Sequence, residues 1–350
     1  MPDLNAQHDQ DRRRVPRGAD TAPDADQGAN AAVAPWQAQD RADDDRGARV
    51  IRLDTARQSA GGADPDGERQ EGPGPLERRI AAGLAFLRRR LTGEYEVDEF
   101  GFDPELNAAV LLPLARAMYR HWFRVELCGL EHVPRQGPAL VVANHSGTLP
   151  VDGLMLTVAI HDHVGRDLRL LGADLIYQVP LLGHLSRKAG HTLACPADAA
   201  RLLDKGELVG VFPEGFKGVG KPFAERYRLQ RFGRGGFVET ALRTGVPIIP
   251  CAIVGAEEIY PKIADLRPLA RLLGLPYFPI TPTWPLLGPA GLVPLPSKWM
   301  IQFGEPMRLE EHGPDAADDP MTVFNITDHV RENVQQMVYD TLLRRGPAFF

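Results

Sequence analysis

Residues 139–153 read ALVVANHSGTLPVDG. An apolar run leads into Asn144 and His145, then into Ser, Gly, Thr, Leu and Pro, and the chain resumes with Asp152. A short apolar run bounded by turn-forming residues is the pattern of a buried strand. Pro150 suits the first turn of a helix, where Asp152 is stabilised by the helix dipole. The stretch thus predicts strand, tight loop, helix, with Asn144 and His145 at the strand's C-terminal edge. In an open α/β sheet that edge is where ligands bind. Gly147 permits the sharp turn that lets Asp152 reach one imidazole nitrogen and leave the other free for a proton. On this stretch alone, a helix cap beside an unrelated histidine is the competing reading.

The same texture continues in both directions. Apolar runs at 168–172, 191–195, 208–212 and 246–255 alternate with helical patterns near 175–189, 196–206 and 234–245. A late strand near 299–307 and a C-terminal helix over 323–344 complete the pattern. Such alternation predicts an α/β fold with a largely parallel central sheet flanked by helices. Residues 124–345 form this domain. Residues 76–123 precede it as a helical segment: an Arg-rich amphipathic helix, with Ile80, Leu84, Leu87 and Leu91 at helical spacing, then a helix begun by Asp103-Pro104 and kinked at Pro113. The Arg-rich helix either packs on the domain or lies on an anionic membrane surface. Residues 1–75 are poor in apolar residues and read as a disordered acidic tail and linker.

Composition narrows the function. The formal charge is −6, mostly from residues 1–75, so no basic excess exists to neutralise nucleic-acid phosphates. The three cysteines have no metal-ligand spacing, and no metal is expected. The first 30 residues hold no apolar core, so no secretory leader is expected. Residues 272–297 carry no charge but seven prolines. That rules against a spanning helix and predicts an irregular apolar flap. The flap either packs on the core as a long loop or forms a membrane-facing or acyl-chain-covering surface, for which Tyr277, Phe278 and Trp284 suit an interface.

A second stretch follows an apolar strand: LVGVFPEGFKGVGKPFAERYRLQRFGRGGF, residues 208–237. It places Glu214 and Gly215 at the same sheet edge. Lys217, Lys221, Arg226, Arg228, Arg231 and Arg234 follow among glycines, a composition that suits phosphate. Residues 215–221 fit the G-x-x-x-x-G-K phosphate loop. Pro222 stands where that loop needs Ser or Thr for magnesium, so a nucleoside triphosphate site is not expected.

NHSGTLPVD, FPEG and VPIIP, in that order, resemble the lysophospholipid acyltransferase family of the 1-acylglycerol-3-phosphate acyltransferase type, in a divergent bacterial branch. The resemblance spans roughly residues 120–310. It implies an O-acyltransferase that moves a fatty acyl group from acyl-CoA or acyl carrier protein to a hydroxyl of a lysophospholipid or glycerolipid. No cofactor is implied, and no acyl-enzyme. His145 would be the base and Asp152 its partner. Asn144, Ser146, Gly147, Glu214, Gly215, Lys217, Lys221 and Arg226 would bind substrate. The resemblance also implies a peripheral place on the cytoplasmic face of the membrane.

Three features depart from the family. Six residues, not four, separate His145 from Asp152. FPEGFKG replaces an FPEGTRS-like block. Cys195-Pro196 stand where a phosphate-binding arginine is usual, leaving Lys221, Arg226, Arg187 or a phosphate-free acceptor to explain the difference. A non-catalytic lipid-binding protein of the same fold is the alternative. A serine hydrolase is disfavoured, because the chain has no G-x-S-x-G elbow.

Overall fold

The strand that ends in Asn144-His145 lies in the middle of a seven-stranded sheet. The computed structural model describes residues 74–179 and 181–349. The expected tail over 1–75 therefore falls almost entirely outside the described residues. In chain order the strands are β1 (Glu126–Cys128), β2 (Ala139–Ala143), β3 (Leu168–Gly172), β4 (Thr192–Leu193), β5 (Leu208–Val211), β6 (Ile248–Val254), β7 (Ala264–Asp265), β8 (Pro279–Ile280) and β9 (Met300–Phe303). The sheet order is β1-β9-β6-β2-β5-β3-β4, and β7 and β8 form a separate small pair. Strands β6, β2, β5, β3 and β4 are mutually parallel, while β9 runs antiparallel to β6 and carries β1 alongside it.

Every residue of β2 and β6 is buried. Their near-continuous apolar composition is what a sheet covered on both faces requires. Alternate residues serve opposite layers. Ala139, Val141 and Ala143 face one core with α3 (Leu112–Ala117) and α4 (Val151–Val164). Leu140 and Val142 face the other, with α7 (Pro196–Asp204), α9 (Gly236–Thr244) and α11 (Pro320–Arg345).

The structure departs from the sequence expectations in three places. The helix expected near 175–189 is two short ones, α5 (Asp174–Gln178) and α6 (Leu182–Lys188). Val179 precedes a proline and adopts extended backbone, which ends the first. The helix begun by Asp103 is not simply kinked. After α2 (Pro104–Leu106), wide π-type turns over Asn107–Leu111 and Met118–Trp122 flank α3. Pro113 has no N–H to give the preceding turn, and a widened turn absorbs that loss.

The third departure is α1 (Pro75–Thr92). Two of its arginines meet carboxylates of the following segment: Arg89 pairs with Glu105, and Arg90 turns in to the buried Asp103, while Arg88 is exposed. Its apolar stripe faces out, with Ile80, Leu84, Leu87 and Leu91 all more than half exposed. Two short helices, α8 (Phe216–Val219) and α10 (Arg267–Leu272), complete the set. Among the described residues no helix is long and apolar enough to cross a membrane.

Candidate active site

Strands β2 and β5 pair in register from Ala139–Leu208 to Val142–Val211, so their C-terminal ends are level. The loops that leave them meet. His145 Nδ1 lies 2.8 Å from Asp152 Oδ2, and the carboxylate is fully buried in the first turn of α4. The same oxygen accepts the N–H of Ser146 at 2.8 Å, and the other accepts the N–H of Gly153 at 2.9 Å. Two amides and the helix N-terminus thus fix Asp152 as an acceptor, which orients the imidazole. Phe212, just past β5, stacks on the His145 ring with centroids 4.4 Å apart.

The loop between His145 and Asp152 folds back tightly. Gly147 has φ +97°, and a Cβ there would meet the Ala256 carbonyl at 2.7 Å. Thr148 also has positive φ, at +67°, without being glycine. Three bonds hold it: its N–H to the Val219 carbonyl (3.1 Å), its hydroxyl to the Tyr260 carbonyl (2.9 Å), and its own carbonyl accepting from the Tyr277 hydroxyl (2.6 Å).

The remaining residues singled out from sequence divide by burial. Asn144 is spent on the sheet: its amide nitrogen donates to the Ile253 carbonyl and its oxygen accepts the Ile253 N–H. The expectation that it binds substrate is corrected accordingly. Ser146 is fully buried, and its hydroxyl has no hydrogen-bond partner among the described residues.

Glu214 also points inward. Its carboxylate accepts the N–H of His145 at 2.8 Å and that of Gln230 at 2.5 Å. Burial pushes its pKa up, against the pull of Lys221 and the two amides. Gly215 caps α8. Lys221 is buried 2.9 Å from Glu257 and 3.7 Å from Glu214, and donates to the Arg228 carbonyl. Burial holds Glu257 up to about 7, outweighing that ion pair. Lys221 is therefore an internal counter-charge and not a free phosphate ligand. Arg226 is exposed and lies over the Phe223 ring at 4.5 Å; Lys217 is exposed. Arg187 stacks on Tyr177 at 4.8 Å, while Cys195 caps α7.

Three participants went unread in the sequence: Phe212, Glu257 and the inward role of Tyr277. Tyr277 was expected on an interface with Phe278 and Trp284. Its ring instead packs on Lys262, 4.6 Å from the Nζ, while its hydroxyl reaches Thr148. The strongly exposed side chains of that flap are Leu272 and Leu286.

The family model described as Acyltransferase matches residues 124–254. An uncharacterized protein of Mycobacterium tuberculosis, Rv0502, is 57% identical over 314 residues, covering 89% of this chain and 87% of its own. The chloroplastic 1-acyl-sn-glycerol-3-phosphate acyltransferase LPAT1 of Arabidopsis thaliana is 26% identical over 151 residues, covering 40% of this chain and 38% of its own. The crystal structure of the 1-acyl-sn-glycerophosphate acyltransferase PlsC from Thermotoga maritima aligns at 20% identity with a TM-score of 0.44, covering 75% of this chain and 89% of its own. The chain belongs to the acyltransferase family, as its NHSGTLPVD, FPEG and VPIIP blocks imply.

Proposed function

We propose that the protein transfers a fatty acyl group from an acyl thioester to a hydroxyl of a lysophospholipid or another glycerolipid, with His145 as general base. The observation that carries this reading is the His145–Asp152 pair, 2.8 Å apart at the C-terminal edge of the sheet. With Asp152 accepting from Nδ1–H, Nε2 is left to take the proton of the acceptor hydroxyl. The alkoxide oxygen attacks the thioester carbonyl. The tetrahedral intermediate collapses, the thiolate leaves, and the imidazolium returns its proton to sulfur. No acyl-enzyme is needed.

The amides of His145 and Ser146 are already given to Glu214 and Asp152. Gly147 N–H, which donates no hydrogen bond among the described residues, is the amide left for the developing oxyanion. For the acceptor, the engaged Lys221 and the Cys195-Pro196 substitution favour a glycerolipid without a phosphate over a 1-acylglycerol 3-phosphate. For location, the outward leucines of α1 and Leu272 and Leu286 favour peripheral contact with the inner face of the cell membrane.

The test is acyl-CoA incubated with a panel of lysophospholipids, monoacylglycerols and diacylglycerols while free thiol is measured. Thiol release only with acceptor is expected. Release with water alone would make the protein a hydrolase, and no release from acyl-CoA or acyl carrier protein would leave a lipid-binding protein.

A further inference from the structure

A cavity of about 480 Å³ lies between α9 and α11, outside the His145 loop. Four arginines line it: Arg231, Arg234, Arg243 and Arg331. Two are neutralised locally. Arg243 pairs with Asp318 at 2.7 Å, with Glu239 one turn before it on α9, and Arg331 pairs with Asp328 at 2.9 Å. Arg231 and Arg234 are exposed and have no carboxylate within ion-pair distance among the described residues. Phe324, half exposed on α11, supplies an aromatic face in the same wall.

The cavity is physically joined to the dyad. Glu214 binds the N–H groups of both His145 and Gln230, and Arg231 is the next residue. Gly233 N–H returns to the Pro213 carbonyl at 3.1 Å. From this end the lining runs along α9 to Arg243, a helix of about 13 Å by its rise per residue. A lone phosphate headgroup would not fill such a space, whereas pockets of roughly 300–1,000 Å³ suit ligands of nucleotide size.

We propose that this cavity binds the nucleotide end of a coenzyme A thioester, with Arg231 and Arg234 on its phosphates and Phe324 against its base. Guanidinium forks match phosphate oxygens, and an exposed aromatic face suits an adenine ring. This rests on the thioester-donor reading above and selects a nucleotide-bearing donor over acyl carrier protein. Of the basic cluster that the sequence linked to phosphate, Arg231 and Arg234 carry that chemistry, while Lys221 is engaged by Glu257.

The test compares the full-length protein with the double variant Arg231→Ala, Arg234→Ala. Calorimetry with free coenzyme A should show binding weakened at least ~10-fold, as expected for losing two charge-assisted contacts. The KM for acyl-CoA should rise by a similar factor with kcat within about twofold, while the KM for an acyl-pantetheine of the same chain length stays put. The Lys double variant should recover part of the loss. Equal binding of coenzyme A to both proteins, or no binding to the unmodified one, overturns the proposal. So does a KM rise confined to 1-acylglycerol 3-phosphate, which would give the cavity to the acceptor. If no thioester supports transfer, the acyltransfer reading fails, yet the coenzyme A titration still judges the cavity.

Discussion

The loops after β2 and β5 leave the same sheet edge and meet, but they use their polar residues in opposite ways. The β2 loop buries its carboxylate to present an imidazole, with His145 held by Asp152. The β5 loop buries its carboxylate to hold backbone: Glu214 ties His145 N–H to Gln230 N–H, and Lys221 stands behind it. One loop orients an imidazole at the sheet edge, and the other fixes where the backbone of that residue sits. Chemistry-bearing residues at a strand end are therefore not equivalent, and burial with full hydrogen bonding separates the two roles.

The comparison breaks first at His145. Replacing it with Ala should lower kcat by about 10²–10⁴-fold, the range for losing a general base, with the melting temperature unchanged. Asp152→Asn should fall nearly as far, because the imidazole loses the acceptor that sets its tautomer. A folded His145→Ala protein with full turnover would return the pair to a helix cap beside a chance histidine.

The second loop should fail differently. Lys221→Met removes the cation between two buried carboxylates, and breaking a buried pair costs about 3–5 kcal/mol. Glu257, already raised to about 7 by burial, can take up a proton when its partner is lost. That places the expected loss at the lower end, about 3 kcal/mol by chemical denaturation. Exposed Lys217→Ala should stay within about 0.5 kcal/mol. A stable Lys221→Met protein with a tenfold higher KM for a phosphorylated acceptor would restore Lys221 as a ligand.

The same contrast explains what was legible in the sequence. Strands β2, β5 and β6 could be read because buried parallel strands demand unbroken apolar runs between turn residues. His145 and Asp152 could be paired because a short loop returns the chain to one place. The fate of Lys221 was not legible. Its neutralisation depends on Glu257, 36 residues later in the chain, and no local spacing reports that contact. Sequence left the Arg-rich helix open between the domain and a membrane surface for the same reason: Arg89 and Arg90 find Glu105 and Asp103 beyond the next turn, and the leucines of α1 stand outside. Composition identified which residues are charged, but tertiary partners decided which of them are free.

Tyr277 gives the finest test, because it joins the charge-free flap to the dyad loop. Its hydroxyl donates to the carbonyl of Thr148, a residue held at φ +67° inside the six-residue loop between His145 and Asp152. Two other bonds also restrain Thr148, so the tyrosine is one of three supports. Tyr277→Phe removes only the oxygen and keeps the ring against Lys262. The expected loss is about 1 kcal/mol of stability, the usual worth of one neutral hydrogen bond. Turnover should fall only a fewfold, because a looser Thr148 lets the imidazole drift without removing it. Denaturation curves and kcat on the same preparation check both numbers. No change in either would mean that the bonds to Val219 and Tyr260 hold Thr148 without the tyrosine. A hundredfold fall in kcat at unchanged stability would place the Tyr277 hydroxyl in the chemistry itself.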